Sequence, residues 1–157
     1  MDKISIYTNI DPPYKKLCPH ITFHRPIVGI DEQVIKNLVH SMSLQSKKTR
    51  ITVSGIYAFG THYIVLPVHT TNAIAKLWTG IHKLLASVPE YEHGVFDHDN
   101  TLHITLAEKT SEVFTEIWPK VKNIYFTEIT IPVENIELYK KEPNGIWQKV
   151  STYELCS

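Results

Sequence analysis

The feature that most constrains this chain is a pattern that occurs twice, as Pro19-His20-Ile21-Thr22-Phe23 and as Leu102-His103-Ile104-Thr105-Leu106. Side chains alternate faces along a strand, so His20 and Thr22 share one face, as do His103 and Thr105, while Ile21 and Ile104 point the other way. Each segment therefore reads as a half-buried strand that turns isoleucine toward a core and presents one imidazole and one hydroxyl on its open face. Each also leads a run of strand, helix, strand, strand, a structural echo rather than a tight sequence repeat. That order predicts an α+β fold of two pseudo-twofold lobes, each a small, mainly antiparallel sheet flanked by helix, around a central groove.

Periodicity supplies the remaining elements. Lys3 to Thr8 and Pro19 to Arg25 read as strands, separated by the break Asp11-Pro12-Pro13. Asp31 is placed to cap a helix carrying Val34, Ile35, Leu38, Val39 and Met42 on one face. Thr49 to Ala58 and His62 to Val68 predict a hairpin turning at Phe59-Gly60-Thr61. A second helix runs from near Thr71 to about Val88, with Ile74, Leu77, Trp78, Ile81, Leu84 and Leu85 in one apolar stripe, and Pro89 closes it. Glu90 to Thr101 is polar, rich in His and Asp, and reads as a long loop. Beyond the Leu102 to Ala107 strand, Thr110 or Ser111 caps a helix bearing Val113, Phe114, Ile117, Trp118 and Val121. Ile124 to Lys140 is extended with a break expected at Pro132, and Pro143-Asn144-Gly145 turns the chain into a closing strand, Ile146 to Leu155. Trp78 and Trp118, on helical stripes, are expected in the core.

A chain of 157 residues is long enough to bury one continuous core, so a single domain over 1–157 is expected. Sixteen basic and sixteen acidic residues cancel, which removes any general attraction for duplex nucleic acid or an anionic membrane. An anionic ligand must then be held locally. No apolar run approaches the length of a membrane span, and the N-terminus lacks a signal-peptide layout. Two cysteines, Cys18 and Cys156, do not make a disulfide framework. A soluble, monomeric protein of the cytoplasm is expected.

Two imidazoles and two hydroxyls meeting on one side are what phosphodiester cleavage needs without a metal. One histidine serves as base and the other as acid, because an unperturbed imidazole titrates near neutral pH. The threonines bind and orient the phosphate as its charge redistributes. Nine His and fifteen Thr predict about one chance His-x-Thr triplet in a chain this long, so the motif must be weighed against that background. A third triplet exists, His69-Thr70-Thr71, but it lies where a strand gives way to a helix, and Thr71 is better read as an N-cap. Requiring His-Ile-Thr followed by an apolar residue lowers the chance expectation to about 0.04 per chain, and this sequence has two such segments in corresponding places.

In these residues the chain resembles the two-histidine phosphoesterase superfamily, which includes 2',5'-RNA ligase-like proteins, cyclic nucleotide phosphodiesterases and viral 2',5'-oligoadenylate phosphodiesterases. The family mark is a pair of H-x-T/S-x motifs, matched by His20-Ile21-Thr22-Phe23 and His103-Ile104-Thr105-Leu106, and the likeness extends to Ile136-Glu137-Leu138-Tyr139 and the Gly145-Ile146-Trp147 turn. The resemblance implies a bilobal pseudo-twofold fold, no required metal or other cofactor, and chemistry at a phosphate linked to a ribose 2'-oxygen. The implied substrates are a nucleotide, a cyclic nucleotide or an RNA end. Fewer residues precede His20 than precede the first motif of many relatives, which implies a compact subfamily without their opening helix.

Close to the motifs, Tyr14, His24, Arg25 and Lys109 are candidates to stack on a base or hold a phosphate, with solvated surface as the simpler reading. Trp147 is a further candidate to line the groove, against ordinary packing. His93, His98 and His103, with Asp97 and Asp99 between them, fit neither a helix face nor a short zinc motif, so no metal site is expected. Two other functions stay open at this point. One is destruction of a 2',5'-oligoadenylate or cyclic oligonucleotide immune signal. The other is an inactive module that grips nucleotide or RNA, which would have no need of two titrating imidazoles.

Overall fold

The computed structural model of the chain describes residues 20–24, 27, 29–89, 102–143 and 146–157. Its elements are α1 (Glu32–Gln45), β1 (Thr49–Val53), β2 (Tyr57–Phe59), β3 (Tyr63–His69), α2 (Asn72–Ala86), β4 (His103–Glu108), α3 (Ser111–Val121), β5 (Ile129–Val133), β6 (Asn135–Lys141) and β7 (Trp147–Glu154). The fold is α+β with antiparallel sheets, as expected. Its described residues divide into two compact units. One falls within Met1–Thr22, Thr52–His69 and Thr101–Thr130, the other within Phe23–Ile51, Thr70–Asn100 and Ile131–Ser157. The strand expected over Lys3 to Thr8 and the loop expected over Glu90 to Thr101 lie outside the described residues.

In the first unit β3 is the central strand. It runs antiparallel to β2 through Tyr57↔Val65, Ala58↔Ile64 and Phe59↔Tyr63, and to β4 through Val65↔Thr105, Leu66↔Ile104 and Pro67↔His103. Further along, β1 joins it at Thr52↔His69 and Val53↔Val68, and the strand order is β2-β3-β1-β5 with β4 also on β3. Ile64, Val65, Leu66 and Val68 are all buried, a near-continuous apolar run that suits a strand covered on both faces.

The expected hairpin strand from Thr49 to Ala58 is interrupted, and two residues explain the interruption. Gly55 adopts φ +71°, a left-handed conformation that glycine enters without steric cost. Across from the gap, Pro67 has no N–H to give. Val68 N donates to Leu102 O at 2.9 Å, on the β4 side. Successive backbone groups alternate edges, so the donor that Pro67 lacks would have faced the edge where β1 stops and β2 has yet to begin.

The second unit packs α1 and α2 together with β6 and β7. Ile35, Val39, Leu77, Ile81, Leu85, Ile136 and Leu155 form its core. Asp31 caps α1 by accepting from Gln33 N at 2.8 Å, and Thr71 caps α2 by accepting from Ile74 N at 3.3 Å, so each helix starts where an orphan N–H finds a side-chain oxygen. β6 and β7 pair antiparallel from Asn135↔Glu154 to Lys141↔Trp147. The break expected at Pro132 falls instead at Glu134, between β5 and β6. Pro132 is exposed within β5, the last strand in the sheet order, where a missing donor costs no ladder bond.

Trp78 and Trp118 are half-buried rather than core. An indole is large and keeps an edge in solvent more often than an aliphatic side chain does. The Trp78 ring lies 4.2 Å from that of His82, and His82 lies 5.0 Å from His24 and places its Nε2 3.0 Å from Phe23 O. Burial holds the His82 pKa below its usual 6.5, the neighbouring His24 lowers it further, and the Phe23 carbonyl opposes both. The unfolded chain then takes up this proton more readily than the folded one. Stability contributed by neutral His82 is complete above about pH 6.5 and is lost as the pH falls through the lower folded value. His82→Gln, which keeps a donor for Phe23 O, is expected to flatten the decline of the urea midpoint between pH 7.5 and 5.5. An unchanged slope would remove His82 as its source.

Candidate active site

The two motif segments meet, although of the strand expected over Pro19 to Arg25 the described residues show only an isolated bridge at Ile21. Ile21 and Ile104 form an antiparallel bridge on the edge of β4 opposite β3. Antiparallel register then sets His20 across from Thr105 and Thr22 across from His103. β3, β4 and the bridged first motif therefore contribute aligned rows. Ile21, Ile104 and Leu66 make one row, with Ile104 5% and Leu66 0% exposed, facing the core. On the opposite face lie two rows, His20-Thr105-Val65 and Thr22-His103-Pro67.

Residues directly opposite in such a pair have Cβ atoms about 4.5–5.5 Å apart, and diagonal neighbours about 7–8 Å apart. His20 and His103 are diagonal neighbours, as are Thr22 and Thr105. The four polar residues thus form a small quadrilateral on one face, with His20 and His103 on one diagonal and Thr22 and Thr105 on the other. A local twofold axis between Ile21 and Ile104 exchanges the two motifs. His20 and Thr22 are exposed, His103 and Thr105 half-buried, so water and solutes reach the group. Val65 and Pro67, the next residues across the sheet, offer no side-chain polar atom, so the polar quadrilateral ends abruptly at β3.

The sequence reading missed Phe59. Its ring stacks on the His103 imidazole with centroids 5.0 Å apart and planes 29° apart. The pattern predicts a turn at Phe59-Gly60-Thr61, and an aromatic beside Gly60 is the one available signal. It ends β2 opposite Tyr63, and the intervening Gly60-Thr61-His62 loop closes through Gly60 at φ +61°. That loop is tied to the end of β4. Lys109 N donates to His62 O at 2.8 Å, and Ser111 Oγ lies 3.0 Å from His62 Nε2. Tyr63 donates its hydroxyl to Glu108 at 3.1 Å, and this bond to the carboxylate pushes the Tyr63 phenol up from its usual pKa.

The other candidates are more dispersed. Lys109 follows β4 in the same unit, half-buried, with its backbone N–H given to His62. Trp147 belongs to the second unit, where it opens β7 opposite Lys141, whose Nζ lies 5.8 Å from the indole centroid. His24 is in that unit too, beside His82. Tyr14 and Arg25 lie outside the described residues. His69 of the third triplet sits with Nε2 2.6 Å from Ser54 Oγ, while Thr71 is the N-cap of α2.

Among the described residues no three His, Cys, Asp or Glu side chains are grouped to hold a metal ion. His93 and His98 are outside them. Cys156 is a free thiol, donating to Leu44 O at 3.1 Å, and Cys18 is outside the described residues. A hollow of about 360 Å³ along α2, lined by Asn72, Ala75, Lys76, Thr79, Gly80 and Lys83, belongs to the second unit and carries no histidine. No helix among the described residues is long and apolar enough to cross a membrane.

The family model described as the 2'-5' RNA ligase superfamily matches residues 2–145, and the chain belongs to that family. The crystal structure of TT0787 of Thermus thermophilus superposes with a TM-score of 0.59 at 16% identity, covering 93% of this chain and 81% of that one, which shows a shared fold. No curated protein matches the chain.

Proposed function

We propose that this chain is a phosphoesterase acting on a 2'-linked or 2',3'-cyclic phosphate of a nucleotide or RNA end, by acid–base catalysis between His20 and His103 without a metal. The observation that carries this reading is the Ile21–Ile104 pairing, because it brings both motifs onto one face as neighbours. Membership of the superfamily supports phosphoester chemistry in general. Ring opening of a 2',3'-cyclic phosphate illustrates the step. One neutral imidazole takes a proton from water as its oxygen attacks phosphorus. The bond from phosphorus to one ribose oxygen breaks, and the other, protonated imidazole supplies the proton that this oxygen needs. Thr22 and Thr105 donate to the non-bridging oxygens and keep the phosphate in line.

The local twofold makes either histidine geometrically suited to either role, so the orientation of the substrate selects acid and base. A single-domain, monomeric enzyme of the reducing cytoplasm is the setting proposed for this chemistry.

The test is relative kcat/KM, with chelator present, on 2',3'-cyclic mononucleotides, 2',5'-linked oligoadenylate and cyclic dinucleotides. Turnover of any of these supports the reading, and the preferred one identifies the substrate. Tight binding of these ligands with no product from any of them would mean a binding module instead.

A further inference from the structure

The geometry points to Phe59 as a positioning residue for His103, one that holds the imidazole in the orientation catalysis needs; this rests on the phosphoester reading above. Phe59 is 44% exposed, so it adds little to the core, yet its ring stacks on His103 with centroids 5.0 Å and planes 29° apart. The torsion that turns an imidazole about its Cβ–Cγ bond is broad and roughly twofold, so strand geometry alone leaves the ring nitrogens loosely aimed. An aromatic face against one side of the ring restricts that rotation. It leaves the nitrogens, which lie on the ring edge, open to a substrate and to their other partners.

Phe59 is itself held in place by the strand that carries His103. His62 of the loop after Phe59 is fastened to Lys109 and Ser111, and Tyr63, which begins β3, to Glu108, by the three hydrogen bonds described above. Phe59 pairs with Tyr63, which pairs with Glu108, so its backbone is fixed at the far end of β4 while its ring contacts the imidazole. His103 is braced by its own strand through a neighbouring one, a closed mechanical loop of β4, the His62 turn, β2 and Phe59.

The test compares Phe59→Leu and Phe59→Tyr with the wild-type protein. Leucine keeps apolar bulk at an exposed site, so the urea midpoint should move little, while tyrosine keeps the flat ring. An aromatic stack of this kind corresponds to about a two- to tenfold effect. Phe59→Leu is therefore expected to lower kcat by about that factor with KM within twofold, and Phe59→Tyr to restore it. A second arm reads orientation without turnover. Nuclear Overhauser contacts from the His103 ring protons to its strand neighbours should change in Phe59→Leu, as the ring turns, and be kept in Phe59→Tyr.

An unchanged kcat in Phe59→Leu would overturn the proposal. So would a raised KM at constant kcat, which would make Phe59 a surface for a substrate base. If the wild-type protein turns over no substrate, the phosphoester reading fails, and the NMR arm still decides whether Phe59 sets the His103 ring. Identical His103 ring contacts in all three proteins would then refute it.

Discussion

His20→Ala and His103→Ala are each expected to lower phosphoester turnover by about 10²- to 10⁴-fold, the usual contribution of one positioned proton donor or acceptor. At 1.36 kcal/mol per factor of ten, that is about 3–5 kcal/mol of transition-state stabilisation for each imidazole. The reason for so large an effect is geometric. The two rings occupy diagonal corners of the quadrilateral, so one cannot reach both the attacking and the leaving oxygen, and the loss of either leaves a proton transfer to water. The fold should tolerate both changes, because His20 is exposed and His103 is half-buried on the face away from the Ile21-Ile104-Leu66 row. KM should change less than kcat, since Thr22 and Thr105 remain to hold the phosphate. A loss below threefold in either variant, with folding intact, would remove that histidine from the chemistry.

The second large effect concerns the floor of the site. Leu66→Ala is expected to cost about 2–5 kcal/mol of folding stability, read as a lower urea midpoint, the range for deleting most of a fully buried leucine side chain. Leu66 is 0% exposed in the central strand, directly across from Ile104, the residue that separates His103 from Thr105. Much of a total stability of about 5–15 kcal/mol hangs on such contacts. Leu66→Met, which nearly conserves volume, should cost less than about 1.5 kcal/mol. If alanine cost no more than methionine, Leu66 would not be packed as the strand register places it.

Alternation of His, Ile, Thr and an apolar residue from His103 was legible as a strand face because the strand period of two is local and needs no knowledge of partners, whereas the first motif holds only a single bridge at Ile21. The caps at Asp31 and Thr71 were legible for the same reason: a side-chain oxygen beside the first apolar helical residue serves N–H groups two or three positions on. Direct pairing of the two motifs was not legible. The Ile21–Ile104 bridge joins segments distant in sequence within one unit, a choice made by long-range packing. Phe59 was missed on similar grounds, since its value lies in a ring contact with a strand it does not adjoin. The interruption at Ser54-Gly55-Ile56 needed two facts at once, a glycine on one strand and a proline across from it. Pro132 misled because a proline ends a central strand but not an edge one.

The most direct test of the central claim is turnover of the preferred 2'-linked or 2',3'-cyclic substrate, in chelator, by the wild-type protein, His20→Ala, His103→Ala and the double variant. Residues that act as one unit are non-additive, so the double variant should be about as inactive as the worse single one. Activity that survives chelation in the wild-type protein and collapses to a common floor in all three variants is the predicted result. Losses that multiply, or turnover indifferent to either histidine, would contradict a single site built from the two paired strands.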